Sequence, residues 1–436
     1  MNIDTVAVYS TADKDSLHVK LATKAVCIGP AKASQSYLNM NSILTAALDN
    51  HCDAIHPGFG FLSENSDFAR LCKENNIKFI GPKADVIDAM GNKAMAKTMM
   101  RKGNVPVVPG SDGALEDYDE AKEIADRIGY PVLLKASAGG GGRGMRRAYS
   151  EEELKKAYDE AKAEARACFG NDEMYIEKLI VNPRHIEFQI LADEMGNVVH
   201  LGERDCSIQR KNQKLIEESP CMLLSDELRN KMGAAAVNAA KASGYTNAGT
   251  VEFVLDGDNN FYFIEMNTRI QVEHGVTEMV TGIDLIKEQI RIAFHEPLGF
   301  EQEDIKLKGH AMECRINAED PAKGFMPNSG KITFLNLPGG PGVRVDTMLY
   351  NGYETSPFYD SMMAKIIVHA PTRLEMIRKM RRALMEISTE GITTTSDFEY
   401  LILFHPDFIK GKYNVGFIEE HMDEILSWDA FGEGNE

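Results

Sequence analysis

Residues 250–267 read TVEFVLDGDNNFYFIEMN, two runs of β-forming apolar residues separated by the turn-forming run DGDNN. The pattern predicts a β-hairpin with its turn at residues 256–260. In that register Glu252 and Glu265 lie opposite each other, and Asn267 projects from the same face. Two facing carboxylates among apolar neighbours repel unless a cation lies between them, and carboxylate and amide oxygens suit Mg²⁺. An exposed acidic hairpin face is the alternative interpretation.

The segment after the hairpin, residues 268–274, reads TRIQVEH. Arg269, Gln271 and Glu273 occupy alternate positions, so an extended segment would present all three on one face beside the metal. A guanidinium, an amide and a carboxylate together can bind a small anion and remove a proton from it. Taken alone, the segment is more simply interpreted as a polar loop.

A glycine-rich run lies further upstream, where residues 136–145 read ASAGGGGRGM. Bare backbone N–H groups in such a loop can approach anionic oxygens, which predicts a mobile loop that closes over phosphates. Residues 145–148 are strand-like, which excludes a dinucleotide-binding fingerprint, and the absence of G-K-[ST] excludes a P-loop. A plain hairpin turn is the alternative.

Two lysines accompany this loop. Lys135 ends the strand before it, and Lys93 begins a helix after Gly91 and Asn92. Each is either a solvated surface lysine or, together with the loop, a point charge on the phosphates of a nucleoside triphosphate.

Composition limits the class of protein. The 436 residues are 43% hydrophobic and 26% charged, which predicts a soluble globular protein of about two to four domains. The net charge of −18 argues against nucleic acid or an anionic membrane as the main partner. Seven dispersed cysteines without a C-x-x-C pair indicate reduced thiols and a cytoplasmic protein. No apolar run is long enough to span a membrane, and the N-terminus lacks signal-peptide features.

The order of the predicted elements indicates an α/β protein. Between residues 5 and 82, short β-rich runs alternate with helical stretches, which predicts a parallel sheet with crossover helices. A single helix is predicted from Ala84 to Lys102, ending at Gly103. The predicted domains are residues 1–83, residues 84–305 with a lid at about 107–179, and residues 306–436.

Five runs of the sequence together resemble one family. KASAGGGGRGM, EKLIVNPRHIEFQ, GERDCSIQRKNQK, FIEMNTRIQVEH and ECRINAED occur in this order and closely resemble the motifs of biotin carboxylase, the ATP-grasp subunit of acetyl-CoA carboxylase. The resemblance extends from residue 3 to about residue 430. It implies an ATP-grasp fold with an N-terminal parallel α/β domain, a glycine-loop lid and a C-terminal mixed β domain. The sequence lacks the Met-Lys-Met tract of a biotinyl domain, which indicates a separate subunit.

The family implies a reaction and its participants. Biotin carboxylases are ligases that consume ATP and bicarbonate to make carboxyphosphate, which releases CO₂ for attack by N1 of biotin. The resemblance therefore implies ATP, Mg²⁺ or Mn²⁺, bicarbonate and biotin. It also implies three partners: a biotin carboxyl carrier protein, carboxyltransferase subunits and a second copy of the chain in a homodimer. In acetyl-CoA carboxylase this is the first half-reaction, which leads to fatty acid biosynthesis.

The resemblance also implies roles for individual residues. Those implied to bind ATP are Lys93, Lys135, Gly140, Gly141, Gly142, Glu177, Lys178, Ile180, His185, Gln209, Asn212 and Lys214. Those implied to hold the metal are Glu252, Glu265 and Asn267, and those implied to bind bicarbonate are Arg269, Gln271 and Val272. Glu273 is implied to be the general base, and Arg315 is implied to stabilise the biotin enolate.

Three features depart from the family pattern. Asn212 stands where the family often has His near the ribose, and Phe59 replaces a usual Tyr near the biotin end. Family members also begin with a strand and a helix that carry an I-A-N-R-G-E-I-A motif. We expect the gene product to extend about 25 residues upstream, because a missing inner strand would leave its neighbours' backbone groups unpaired and the chain less stable.

Three alternatives remain open from the sequence. A carbamoyl-phosphate synthetase-like ligase would share the metal hairpin but not the IQVEH and ECRINAED runs. The biotin carboxylase subunit of another acyl-CoA carboxylase or of pyruvate carboxylase would share every motif, because the acceptor is chosen by the carboxyltransferase. A truncated, inactive subunit that only binds partners is the third.

Overall fold

The structure of the protein is a computed structural model that describes residues 1–136, 144–169 and 172–428. The predicted phosphate-binding residues Gly140, Gly141 and Gly142 lie outside these ranges. Six cysteines of the described part are free thiols, as the sequence predicts. Among the described residues no helix has both the length and the apolar character needed to cross a membrane.

The strands of the N-terminal part pair in parallel, as predicted, but they form two separate pairs and not one sheet. The first strand pairs with the second and the third with the fourth. The third and fourth strands span two residues each, and Pro57 and Pro82 follow them closely. Proline has no N–H for a ladder hydrogen bond, which limits these strands. The elements are β1 (Val6–Ser10), α1 (Leu17–Leu21), β2 (Lys24–Gly29), α2 (Met40–Asp49), β3 (Ala54–Ile55), α3 (Ser66–Glu74) and β4 (Lys78–Phe79).

Two helices replace the single helix predicted from residue 84 to residue 102. They are α4 (Ala84–Gly91) and α5 (Lys93–Lys102). Asn92 between them has extended backbone angles, φ −91° and ψ 105°, and its side chain accepts the backbone N–H of Met95. This N-cap ends one helix and begins the next. Lys93 therefore lies in the first turn of α5.

A small antiparallel sheet with two helices has its own core. Its strands lie in the order β6-β5-β7, and Leu134, Leu154 and Ile176 are buried between the sheet and the helices. The segment corresponds in place to the predicted lid. Its elements are α6 (Tyr118–Ile128), β5 (Val132–Ala136), β6 (Met145–Ala148), α7 (Glu151–Phe169) and β7 (Met174–Lys178).

The next segment supplies most of the largest sheet and the helices that cover it. Phe188, Phe253 and Phe263 are buried against α8, which begins at the N-cap Ser225. The predicted hairpin forms from its last two strands. The elements are β8 (Arg184–Ala192), β9 (Val198–Arg210), β10 (Gln213–Ser219), α8 (Asp226–Ser243), β11 (Asn247–Leu255), β12 (Phe261–Asn267), α9 (His274–Thr281) and α10 (Leu285–Ala293).

The C-terminal segment extends the same sheet. Its elements are β13 (His310–Asn317), β14 (Glu319–Asp320), β15 (Met326–Pro327), β16 (Phe334–Asn336), β17 (Val343–Thr347), β18 (Met362–Ala370), α11 (Arg373–Glu386), β19 (Ser388–Glu390), α12 (Ser396–Ile402), α13 (Pro406–Ile409) and α14 (Phe417–Leu426). The complete sheet has eight strands in the order β12-β11-β8-β9-β10-β13-β18-β17, and all neighbours are antiparallel. Because β10 pairs with β13, the sheet crosses the predicted boundary at residue 306, and the domain limits stay predictions.

Candidate active site

The β11–β12 hairpin has the predicted register. Glu252 pairs with Glu265 and Thr250 with Asn267, with an irregularity after Glu252. The Asn267 Nδ2 donates to Glu252 Oε1 at 2.8 Å. The two carboxylates therefore face the same space, with the Asn267 amide beside them.

The chemistry of these three residues fits a hard cation. Burial, and then the charge of Glu252, raise the pKa of Glu265. Within the described residues the Glu265 carboxylate accepts no hydrogen bond. Because its surroundings disfavour the anion and its lone pairs are free, the Glu265 carboxylate would be stabilised by a divalent ion. Mg²⁺ prefers oxygen ligands of this kind. Glu252, Glu265 and Asn267 are thus the residues that would hold it.

Lys214, from β10, lies at the centre of the site. Its ammonium donates to Glu187 Oε2 at 2.5 Å, to Glu273 Oε1 at 2.5 Å and to Glu252 Oε1 at 3.5 Å. Burial alone would lower the pKa of Lys214, but the carboxylates around it reverse this and raise it well above the ordinary value. One largely buried cation therefore connects Glu252 of the Glu252–Glu265 pair with Glu273.

Glu273 contacts a second cation. Arg315, from β13, donates from Nη2 to Glu273 Oε2 at 2.9 Å and from Nε to Glu217 Oε1 at 2.7 Å. Burial disfavours the ionised Glu273, but Lys214, Arg315 and Arg204 outweigh it and lower the Glu273 pKa well below its usual range. Glu273 is therefore an anion held between Lys214 and Arg315.

The segment before α9 is not an extended strand, so the expectation of three side chains on one face is wrong. Helix α9 begins at His274, and Glu273 already has φ −80° and ψ 10°. Gln271 and Glu273 still face the site, since Gln271 Nε2 donates to Glu252 Oε1 at 2.9 Å. Arg269 instead lies at the edge, where Nε donates to Glu64 Oε2 at 3.0 Å and Nη2 to Asn267 Oδ1 at 3.0 Å.

Arg204 is a buried residue of the site that the sequence did not identify. Its side chain, on β9, is 0% exposed, and its guanidinium makes five hydrogen bonds. The acceptors are Glu187 Oε1 at 2.5 Å, Gln189 Oε1 at 2.8 Å, Thr277 Oγ1 at 3.1 Å, Thr250 Oγ1 at 3.1 Å and Gln271 Oε1 at 2.7 Å. These acceptors lie on four separate segments, so Arg204 fixes β8, β11 and the start of α9 relative to one another. The only sequence signal is a charged residue within the buried run GERDCSIQ.

Two lysines and an acid form a second group, where the lid strands β5 and β7 face α5. Lys135 Nζ donates to Glu177 Oε2 at 2.5 Å, and Lys97 forms an ion pair with the same carboxylate. Burial and neighbouring lysines lower the pKa of Lys97 to about 7 and that of Lys135 to about 8. Lys97 was not predicted, and its signal would have been its position one turn after Lys93 on α5. Ammonium groups that are disfavoured in this way are stabilised by phosphate oxygens.

The remaining predicted nucleotide residues differ in their surroundings. Lys178 donates to the carbonyl oxygens of Gly129 and Tyr130, at 3.0 and 2.8 Å, so its ammonium holds the lid. His185 Nε2 lies 2.9 Å from Glu252 Oε2. The other three predicted residues do not share these contacts. Ile180 follows β7, Gln209 of β9 is paired with Lys214 of β10, and Asn212 is exposed in the β9–β10 turn with φ 66°.

A further group of possible metal ligands lies far from this site, in the C-terminal helices. Nitrogen and oxygen atoms of His405, His421 and Glu424 lie within 4.8 Å of one another. His405 Nδ1 accepts the backbone N–H of Asp407 at 3.2 Å. A neutral imidazole that accepts at Nδ1 carries its proton on Nε2, the atom that faces Glu424. A proton on this nitrogen, 3.6 Å from Glu424 Oε2, accounts for the pair without a metal ion.

The fold and the site define a class of protein, the ATP-grasp enzymes. Three family models match successive parts of the chain. Residues 1–87 match the biotin carboxylase N-terminal domain, residues 92–300 match the ATP-binding domain of the carbamoyl-phosphate synthase L chain, and residues 313–420 match the biotin carboxylase C-terminal domain.

Whole-chain relatives identify the family. The chain is 55% identical to biotin carboxylase 1 of Bacillus subtilis over 422 residues, 97% of this chain and 94% of that protein. It is 55% identical to chloroplastic biotin carboxylase 2 of Populus trichocarpa over 427 residues, 98% of this chain and 81% of that protein. It is also 53% identical to a pyruvate carboxylase subunit of Methanothermobacter thermautotrophicus over 425 residues, 98% of this chain and 86% of that protein.

Solved structures agree with these relatives. A biotin carboxylase of Campylobacter jejuni in complex with β,γ-ATP is 51% identical, with a TM-score of 0.89, and the match covers 95% of this chain and 93% of that one. The biotin carboxylase domain dimer of Hydrogenobacter thermophilus 2-oxoglutarate carboxylase, with MgADP, ADP and bicarbonate, is 52% identical with a TM-score of 0.89, covering 98% and 94%. The chain belongs to the biotin carboxylase family, which makes it an ATP-dependent carboxylase of the ligase class.

Proposed function

We propose that the protein carboxylates biotin on a biotin carboxyl carrier protein, with ATP and bicarbonate, as the first half-reaction of acetyl-CoA carboxylase. The observation that carries the proposal is the position of Lys214, which contacts both Glu252 of the metal pair and the candidate base Glu273. Phosphate chemistry and proton transfer from bicarbonate must occur next to each other. A single, largely buried ammonium that contacts both groups provides this proximity.

The nucleotide is proposed to lie between the lid and the hairpin. Lys135 and Lys97 share Glu177, and both have lowered pKa values because of burial. Phosphate oxygens would stabilise both ammonium groups, with Lys93 at the start of α5 as a third charge. Mg²⁺, held by Glu252, Glu265 and Asn267, would neutralise charge on the transferred phosphate.

Glu273 is proposed to take the proton of bicarbonate. Burial opposes ionisation of Glu273, but Lys214 and Arg315 lower its pKa, which makes it a weak base. When ATP enters, Lys214 would turn from Glu273 towards the phosphates, and the Glu273 pKa would rise. The deprotonated bicarbonate oxygen then attacks the γ-phosphorus, the bond to ADP breaks, and carboxyphosphate forms. Its breakdown gives CO₂ and a phosphate that would take the proton of biotin N1, so that N1 can attack the carbon of CO₂.

Arg315 is proposed to stabilise the negative charge that develops on the biotin ureido oxygen. Its side chain is partly buried and held by Glu217 and Glu273 on two sides. A guanidinium fixed in this way needs little reorganisation as charge develops, which is the basis of electrostatic catalysis. Gln271 and the Val272 backbone, next to Glu273, would bind bicarbonate.

A second candidate is the same half-reaction within another carboxylase. Relatives named as subunits of pyruvate carboxylase and 2-oxoglutarate carboxylase are each 53% identical to this chain, close to the values for the biotin carboxylases. The biotin step is common to all of them, and the acceptor is chosen by the carboxyltransferase. By analogy with the Hydrogenobacter domain dimer, we also propose that the chain forms a homodimer.

The test is ADP release by the purified chain with Mg²⁺ and ATP, with bicarbonate and biotin omitted in turn. The proposal predicts turnover that requires both. Addition of ammonia in place of biotin tests a carbamoyl-phosphate synthetase-like reaction, and stimulation by ammonia alone would contradict the proposal. Reconstitution with carrier and carboxyltransferase subunits from the source organism, assayed with acetyl-CoA, pyruvate and 2-oxoglutarate, then separates the candidates.

A further inference from the structure

Lys365 is a buried lysine that contacts the backbone of the site from the C-terminal strands. It lies on β18, opposite Arg315 of β13 and opposite Asp346 of β17. Its ammonium donates to the carbonyl oxygen of Val272 at 2.6 Å. This carbonyl belongs to the peptide that joins Val272 to Glu273. The cation is therefore bonded to the turn that carries the candidate base.

The charges around Lys365 leave the Val272 carbonyl as the nearest partner of its ammonium. Glu313 Oε2 lies 3.8 Å away and Asp346 Oδ2 lies 3.5 Å away. Burial and the nearby Glu217 raise the pKa of Glu313 to about 8, so at neutral pH Glu313 is mainly neutral. Burial opposes ionisation of Asp346, but Arg344 and Lys365 reverse this and lower its pKa. Asp346 is thus the counter-ion, and the hydrogen bond to Val272 is the direct contact of the ammonium.

The same strands also hold the helix that follows the turn. Arg344, on β17, donates to both oxygens of Asp346 at 2.8 Å and to Glu278 Oε2 on α9 at 2.6 Å. A side chain at Gly275 would overlap Ile367 of β18, so α9 packs directly on this strand. Strands β17 and β18 therefore contact the chain both before and after the start of α9.

We propose that Lys365 is a positioning residue for Glu273 and for the bicarbonate pocket, an inference that rests on the proposed function. A trans peptide is planar, so fixing the Val272 carbonyl also fixes the direction of the Glu273 N–H and the position of the Glu273 Cα. A charged donor makes a stronger and more directional bond to a carbonyl than a neutral one. Lys365 thereby sets the orientation of the base without touching bicarbonate.

The experiment compares Lys365→Met and Lys365→Arg with the unmodified chain in bicarbonate- and biotin-dependent ADP release. Lys365→Met retains the length of the side chain and removes the donor. It should lower kcat about 10- to 100-fold and raise the KM for bicarbonate, because small displacements of a reacting group cost rates of this order. The KM for ATP should stay within about twofold of the unmodified value. Lys365→Arg restores a charged donor and should recover part of the loss.

Lys379→Met is the matched control. Lys379 also donates to backbone carbonyls, those of His369 at 2.6 Å and Pro341 at 3.1 Å, but on α11 and outside the site. This variant should retain the kinetics of the unmodified chain. Equal kinetics for Lys365→Met and Lys379→Met, in a chain that turns over with bicarbonate and biotin, would overturn the inference and leave the proposed function intact.

Hydrogen exchange tests the positioning even without turnover. In Lys365→Met, amides of residues 271–276 should exchange faster because the turn loses its anchor, whereas the Lys379→Met variant should leave them unchanged. Unchanged exchange in Lys365→Met would overturn the inference independently of any activity. A lower kcat for Lys365→Met with unchanged KM values for ATP and bicarbonate, and no recovery in Lys365→Arg, would also overturn the inference. That pattern would indicate a general loss of folded enzyme.

Discussion

Replacing Arg204 by Met should destabilise the protein more than any substitution of a surface arginine. Arg204 is 0% exposed, and within the described residues its guanidinium donates only to side-chain oxygens. Among its acceptors, Glu187 Oε1 is the most sensitive to the loss, because this fully buried oxygen is held by Arg204 at 2.5 Å. Met fills a similar volume but offers no donor.

The size of the expected stability loss follows from the contacts that remain in Arg204→Met. Lys214 would still neutralise Glu187 through Oε2 at 2.5 Å, while Oε1 would be buried without a partner. Removing one member of a buried charged pair costs about 3–5 kcal/mol. The Thr250 and Thr277 hydroxyls only accept from Arg204, at 3.1 Å, and keep their own O–H donors, so their share is small. We therefore expect the free energy of unfolding to fall by about 3–5 kcal/mol.

The assay is urea denaturation followed by far-UV circular dichroism, with the free energy of unfolding taken from linear extrapolation. Arg210→Met is the matched control, since Arg210 ends the same strand and makes one hydrogen bond, to the Gly324 carbonyl at 2.9 Å. It should cost about 1 kcal/mol or less. If Arg204→Met cost no more than Arg210→Met, Arg204 would not hold the site together.

Three further predictions concern acids of the site. Glu265→Gln should reduce ADP release at saturating Mg²⁺ by at least about 10²-fold, because the lost charge weakens the metal site; activity within a few-fold of the unmodified chain would remove the hairpin from that role. Glu273→Gln should reduce bicarbonate-dependent turnover about 10²-fold or more with ATP affinity retained; a parallel loss of nucleotide affinity would contradict its role as base. Burial raises the pKa of Glu313 from 4.5 to about 8, so between these values the folded state holds a proton that the unfolded state lacks. The stability that protonated Glu313 contributes is fully present below its pKa in the unfolded chain. This contribution is lost as the pH rises towards the Glu313 pKa in the folded protein. The thermal midpoint of Glu313→Gln should therefore rise relative to that of the unmodified chain between about pH 5 and about pH 9, and a pH-independent difference would contradict the prediction.

The parts of the site that the sequence predicts are those set by local patterns. The turn-forming run at residues 256–260 fixes the hairpin register, and the register brings Glu252 and Glu265 together. Register depends on the turn and on a period of two, and both can be counted along the sequence. The fold class and the family follow in the same way, from ordered motifs.

The parts that the sequence does not predict depend on contacts between distant segments. Arg204 bonds to residues up to 73 positions away, and Lys365 bonds to a carbonyl 93 positions away. Neither contact has a local pattern. The start of α9 at His274 is also missed, because alternation of polar residues over so short a segment fits a turn as well as a strand. The sequence shows Asn92 beside Lys93, but it does not show the capping bond that divides the predicted helix.

The most direct test of the account is transfer of radiolabelled bicarbonate carbon to biotin by the purified chain. We predict that labelled carboxybiotin forms only when the chain, Mg²⁺ and ATP are all present, in step with ADP release, and that Glu273→Gln slows its formation about 10²-fold or more. ATP hydrolysis at the same rate with or without bicarbonate and biotin, with no label in biotin, would contradict the account.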